Sequence, residues 1–108
     1  MATAELNGAA ITDSASFHAA CKAALGFPDS YSNSMDGWVD CLSYLRDDDN
    51  MSKFRLKPNE LLDIVIKDSA AMQAAVPEIL EEVAYCVAGI NERYDDYGEK
   101  PALKLSLR

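Results

Sequence analysis

The stretch "LLDIVIKD" (61–68) decides the fold. Leu61, Leu62, Ile64, Val65 and Ile66 surround one aspartate, and Lys67 closes the run. A short, nearly continuous, β-branched segment of this kind is too brief for a core helix. It reads as a strand inside a parallel sheet. Upstream, "TAELN" (3–7) is a short strand ended by Gly8; downstream, "ALKLSL" (102–107) alternates apolar and polar residues as a strand does. Helical patterns separate all three. The order β-α-α-loop-β-α-β predicts an α/β fold: a small three-stranded parallel sheet with flanking helices and right-handed crossovers.

The helices follow from periodicity and punctuation. Thr12 or Asp13 caps a first helix, whose Phe17, Ala20, Cys21, Ala24 and Leu25 recur at helical spacing. Gly26 suits its C′ position and Pro28 stops it. In "FPDSYSNSMDGWVDCLSYL" (27–45), Ser32, Asn33 and Ser34 are all competent caps for a second helix. At about 100° per residue, Met35, Trp38, Val39, Leu42 and Leu45 gather on one side. Asp36, Asp40, Ser43 and Asp47 gather on the other, flanked by Gly37 and Tyr44. "DDDNMSKFRLKPNE" (47–60) reads as a polar connection with a turn of helix near Met51–Phe54. From Ser69 a long helix begins, and Pro77 suits the start of a second piece. Val76, Ile79, Leu80, Val83, Val87 and Ile90 form its apolar face. It is expected to end near Arg93, with "YDDYGEKP" (94–101) as a turn.

The chain has 108 residues, 49% of them apolar, enough for one core and one domain over 1–108. Eighteen acidic against ten basic side chains leave a formal net charge of −8. That argues against nucleic-acid binding, which needs a basic footprint, and disfavours anionic membranes. It suits a basic protein partner. Cys21, Cys41 and Cys86 are odd in number and far apart, so they form neither a disulfide framework nor a zinc pattern. They read as buried free thiols in a reducing cytoplasm. "MATAELNGAA" (1–10) lacks the basic and apolar regions of a signal peptide, and no stretch is long and apolar enough to span a bilayer.

No catalytic or ligand set is complete. His18, the sole histidine, reads as solvated on an exposed turn, and it has no second histidine to pair with. No glycine-rich phosphate loop occurs. Asp47-Asp48-Asp49-Asn50 fails as an EF-hand, because Met51, Ser52 and Pro58 fall where a ligand, the glycine and the glutamate belong. Nothing apolar flanks Asp36 and Asp40 on their own face to raise one pKa for acid–base work. The expectation is a non-enzyme with no metal and no cofactor. The paired aspartates remain to be explained, since like charges at i,i+4 cost roughly 0.2–0.5 kcal/mol.

"LNG" (6–8), Ile11, "LGFP" (25–28), Tyr31 and "MDGWVDCL" (35–42) resemble the barstar family of bacterial ribonuclease inhibitors. The later strands and the long helix follow that family's order. The resemblance implies a three-stranded parallel sheet with helices, and an acidic helix that plugs the active site of a basic ribonuclease. By carry-over, Asp36 and Asp40 are the acidic contacts, with Asp40 standing in for an RNA phosphate. Ser43 replaces a threonine, and Gly37 replaces an alanine and would let the partner approach. Tyr31, Asn33, Ser34 and Asp47 border the same surface, and Glu92 is the nearest candidate for the acid the family carries on its last helix. The chain departs from the pattern at Ser30, Ser32 and Ser34, where the family has an aromatic, a glycine and an asparagine. It departs also at Trp38 and Val39, and in a longer 47–60 connection. The implied function is inhibition of a ribonuclease or nuclease toxin by a cytoplasmic protein, monomeric when free. The alternative is a non-inhibitory acidic interaction module on the same scaffold.

Overall fold

The computed structural model describes residues 2–43, 45, 52–57 and 60–108. Strand β1 (Ala2–Asn7) leads through a 3-10 turn (Gly8–Ala10) to helices α1 (Ser14–Leu25) and α2 (Met35–Leu42). Strand β2 (Leu62–Lys67), helices α3 (Ser69–Ala75) and α4 (Pro77–Asp96), and strand β3 (Leu103–Leu107) complete the order. All three strands run parallel in the order β1-β2-β3, with Ile64 aligned between Ala4 and Leu105. This is the three-stranded parallel α/β architecture that the apolar run at 61–68 predicts.

Alternation within β2 separates two environments. Leu62, Ile64 and Ile66 join Ala4, Leu6 and Leu103 in the core, together with Phe17, Trp38, Leu42, Val83 and Ile90 from the helices. The opposite face is polar apart from the buried Val65: Thr3, Glu5, Asn7 and Lys104 are exposed, and Lys67 pairs with Glu5 at 2.9 Å. Asp63 lies buried on that face, its Oδ1 accepting from the Ser106 hydroxyl at 2.8 Å. That bond satisfies a carboxylate that would otherwise be costly to bury.

The local signals hold at the starts of α1, α2 and α4. Asp13 caps α1, accepting from the Ser16 N–H at 2.8 Å, while the Ser16 hydroxyl takes the Asp13 N–H at 3.1 Å. The Ser16 N–H, and then the Ser16 hydroxyl, hold the Asp13 carboxyl below its usual range. Gly26 closes α1 in the left-handed conformation at φ 65°, where a side chain would be strained. Ser34 caps α2 through the Gly37 N–H at 3.2 Å. Pro77 opens α4 after α3 ends at Ala75.

Four expectations need correction. Helix α2 stops at Leu42, so Leu45 is buried by the path of the chain after the helix rather than by helical periodicity. Helix α4 runs on through Tyr94–Asp96, part of the expected turn. Tyr94 falls four residues after Ile90 and is buried, and its hydroxyl accepts from the Leu45 N–H (3.2 Å) and donates to the Leu42 carbonyl (3.3 Å). The core thus rewards one more turn of helix and closes the end of α2 with it. No helix forms over 52–54; Met51 lies outside the described residues. Instead Ser52 and Lys53 bond to the Leu25 carbonyl, and Leu56, itself buried, bonds to the Leu45 carbonyl at 2.7 Å. The connection is therefore tied to the ends of α1 and α2.

The fourth correction is His18. It is 3% exposed, and its Nδ1 lies 2.6 Å from the Tyr31 hydroxyl. Its ring packs edge-on against Phe17 and tilted against Tyr31. His18 follows Phe17 directly and sits at the border of the apolar stripe, where periodicity leaves either outcome open. The decisive factor is Tyr31, which arrives from the next loop with a hydroxyl to satisfy the ring nitrogen. Burial lowers the His18 pKa, with the charge of Glu82 opposing.

Candidate functional site

Helix α2 has an apolar side and an acidic side. Trp38, Cys41 and Leu42 are within 2% of complete burial. Asp36 and Asp40 are exposed, and neither forms an ion pair or side-chain hydrogen bond with a described residue. Asp36 lies in the first turn, where the helix N-terminus favours an anion by ~0.3–1 kcal/mol. Asp40 lies one turn on and gains less. The two carboxylates therefore point into solvent from a helix that the core holds rigid.

The loop before α2 is braced from behind. Tyr31 is 8% exposed, so it supports the loop more than it presents a surface. Its hydroxyl, bonded to His18, also reaches the Ser34 carbonyl at 3.5 Å. Burial raises the Tyr31 pKa well above its usual value, so the hydroxyl stays protonated. Asn33 is exposed in the left-handed region at φ 55°, a conformation asparagine tolerates better than most residues. The Ser32 and Ser34 hydroxyls lie 2.7 Å apart.

Gly37 is tight against its own loop. A Cβ there would run into the Ser32 hydroxyl and lie 3.3 Å from Tyr31 Cε1. Its small size thus accommodates this chain's Ser32, a role separate from any room it leaves for a partner. Ser43 caps the end of α2 and is half-buried. Its hydroxyl donates to the Val39 carbonyl at 2.6 Å and accepts from Arg93 Nη1 at 3.3 Å. Asp47 lies outside the described residues.

Helix α4 contributes residues that the sequence pattern did not single out. It packs beside α2. Cys86 is half-buried, and its thiol pKa is raised by burial and then by the charges of Glu82 and Asp36. Glu82, Cys86 and Arg93 recur at helical spacing along the border of the core stripe, on the side toward α2. Glu92 is one position, about 100°, away from Arg93. Glu82 shares this side of α4 with Cys86, and Glu92 does not. The usable signal was position: 82 and 86 fall beside the Ile79–Val83–Ile90 stripe, while 92 does not.

An exposed acidic pair on a core-anchored helix, beside a buttressed loop and a parallel sheet of three strands, invites comparison with known families. The family model described as Barstar (barnase inhibitor) matches residues 1–106. This chain belongs to the barstar family. Barstar-family proteins are inhibitors of barnase-type ribonucleases, and the resemblance read in residues 6–45 thus extends over nearly the whole chain. No curated protein matches this barstar-family chain. Among its described residues, no group of three or more histidines, cysteines or acids is placed to hold a metal, and no helix is long and apolar enough to cross a membrane.

Proposed function

We propose that this barstar-family chain inhibits a barnase-type ribonuclease by docking the acidic side of α2 into the enzyme's basic active site. Asp40 takes the place of an RNA phosphate, and Asp36 and Glu82 extend the negative surface around it. One observation carries this reading: Asp36 and Asp40 are exposed and, among the described residues, unpaired, one turn apart, on a helix whose other face is locked in the core. The repulsion between them is a cost in the free protein that a cationic partner would reverse. Charge complementarity of this sort, which the barnase–barstar pair itself illustrates, steers encounter and excludes wrong partners. The free thiols of Cys21, Cys41 and Cys86 fit action in a reducing compartment.

The test is RNA cleavage by barnase titrated with this chain and with Asp40→Ala. The variant should lose about 2–5 kcal/mol of binding, because the enzyme's cations are left buried without a counter-charge. Asp40→Ala inhibiting as well as the parent would remove the phosphate-mimic role. Binding without inhibition would instead point to an acidic interaction module.

A further inference from the structure

The acidic side of α2 ends in a cation. Arg93 is exposed on α4, yet it is tethered to α2: its Nη1 donates to Ser43 Oγ at 3.3 Å, and the Ser43 proton is committed to the Val39 carbonyl at 2.6 Å. This directional chain, Arg93 to Ser43 to Val39, holds the guanidinium at the end of the Asp36–Asp40 stripe. No carboxylate among the described residues pairs with it. Among the described residues, four of its five N–H donors have no acceptor. A cation in the last turn of a helix complements the helix dipole. That explains a positive charge at this turn, but a lysine would serve equally well, and it does not explain the tether to Ser43.

We infer that Arg93 is a specificity-determining contact of the inhibitory face, which receives a carboxylate of the ribonuclease in a two-point hydrogen bond. Ser43 is its positioning residue. The inference rests on the inhibitory reading above and adds a requirement to it. The matching enzyme carries an acidic side chain beside its basic cleft, opposite the C-terminal end of α2. A planar fork matches a carboxylate, whereas an ammonium does not. A ribonuclease with only basic groups at that place would be repelled.

The prediction opposes what net charge alone demands. Removing a cation from an acidic inhibitor should tighten its grip on a basic enzyme, and a specific carboxylate contact should do the opposite. The probe is barnase, with association and dissociation rates measured for the parent, Arg93→Ala, Arg93→Lys, Ser43→Ala, Ser43→Thr and Asp40→Ala. Arg93→Ala should associate as fast as the parent or slightly faster, yet dissociate about 10- to 100-fold faster. Arg93→Lys keeps the charge and the dipole interaction but should recover little of the loss. Ser43→Ala should show a smaller rise in dissociation rate, which Ser43→Thr, retaining the hydroxyl, restores. Arg93→Ala binding as tightly as the parent or more tightly, with Asp40→Ala still weakened, overturns this inference and leaves the inhibitory reading standing. A parent chain that does not inhibit barnase overturns both. Should Arg93→Ala fail to fold, the Arg93→Lys rates decide: binding at parental strength overturns the carboxylate contact.

Discussion

At Gly37 the local packing is a trade between two residues. Where the family pattern has glycine then alanine, this chain has Ser32 then Gly37, and the Ser32 hydroxyl occupies the space an alanine methyl would take. Gly37→Ala should gain helix propensity of at most about 1 kcal/mol but force Ser32 out of its 2.7 Å contact with Ser34. Ser32→Gly should relieve that clash. Chemical denaturation of both single variants and the double should show a favourable coupling of ~0.5–1 kcal/mol; strict additivity would show that the two sites do not interact. The cysteines differ in a comparable way. The Cys21 thiol is fully buried and pushed up from 9.0 to about 12, whereas Cys86 is half-buried between Glu82 and Asp36. Without denaturant a thiol reagent should therefore label Cys86 first, slowly, and leave Cys21 and Cys41 for the unfolded protein. Since the folded pKa of Cys21 lies above its unfolded value, its contribution to stability is complete below pH 9 and is lost as pH rises toward about 12.

At the scale of elements, the two faces of α2 should separate stability from binding. Leu42→Ala should cost ~2–5 kcal/mol through a core cavity, while Asp40→Ala should shift stability by no more than about 0.5 kcal/mol. Thermal melts of the pair check this, and a large loss for Asp40→Ala would mean that its carboxylate has a structural partner. Helix α1 carries a pH dependence through His18. Burial lowers its folded pKa below 6.5, so the stabilisation from the neutral ring is present above pH 6.5 and is lost as pH falls through the folded value. His18→Gln should flatten that acid limb, seen in urea melts between pH 7 and 5; an unchanged slope would assign the limb to other groups. In α4, a Cβ at Gly89 would meet nothing within 4 Å. Gly89→Ala should accordingly stabilise the fold by about 0.5–1 kcal/mol.

For the molecule as a whole, a net charge of −8 should make association with a basic ribonuclease fall steeply with added salt, since steering between charges is screened beyond ~10 Å at 0.1 M. Rates that ignore ionic strength would argue against an electrostatic docking face. The sequence by itself determined the architecture. The run at 61–68, the caps at Asp13 and Ser34 and the left-handed Gly26 act through neighbouring residues, and alternation or helical spacing shows which side chains turn inward. It also determined that Asp36 and Asp40 share an outward face, because four residues make one turn. Only the tertiary structure decided the border positions. His18 looked solvated until Tyr31 supplied a hydroxyl from thirteen residues away. Tyr94 looked like part of a turn until the end of α2 offered it a carbonyl and an N–H. Glu82, Cys86 and Arg93 gained their place near the acidic face only when α4 packed beside α2. Arg93 and Ser43 lie fifty residues apart. Periodicity assigns a residue to a face of its own helix. Which polar group on a neighbouring element will satisfy it is set by how the elements dock, and no local pattern contains that information.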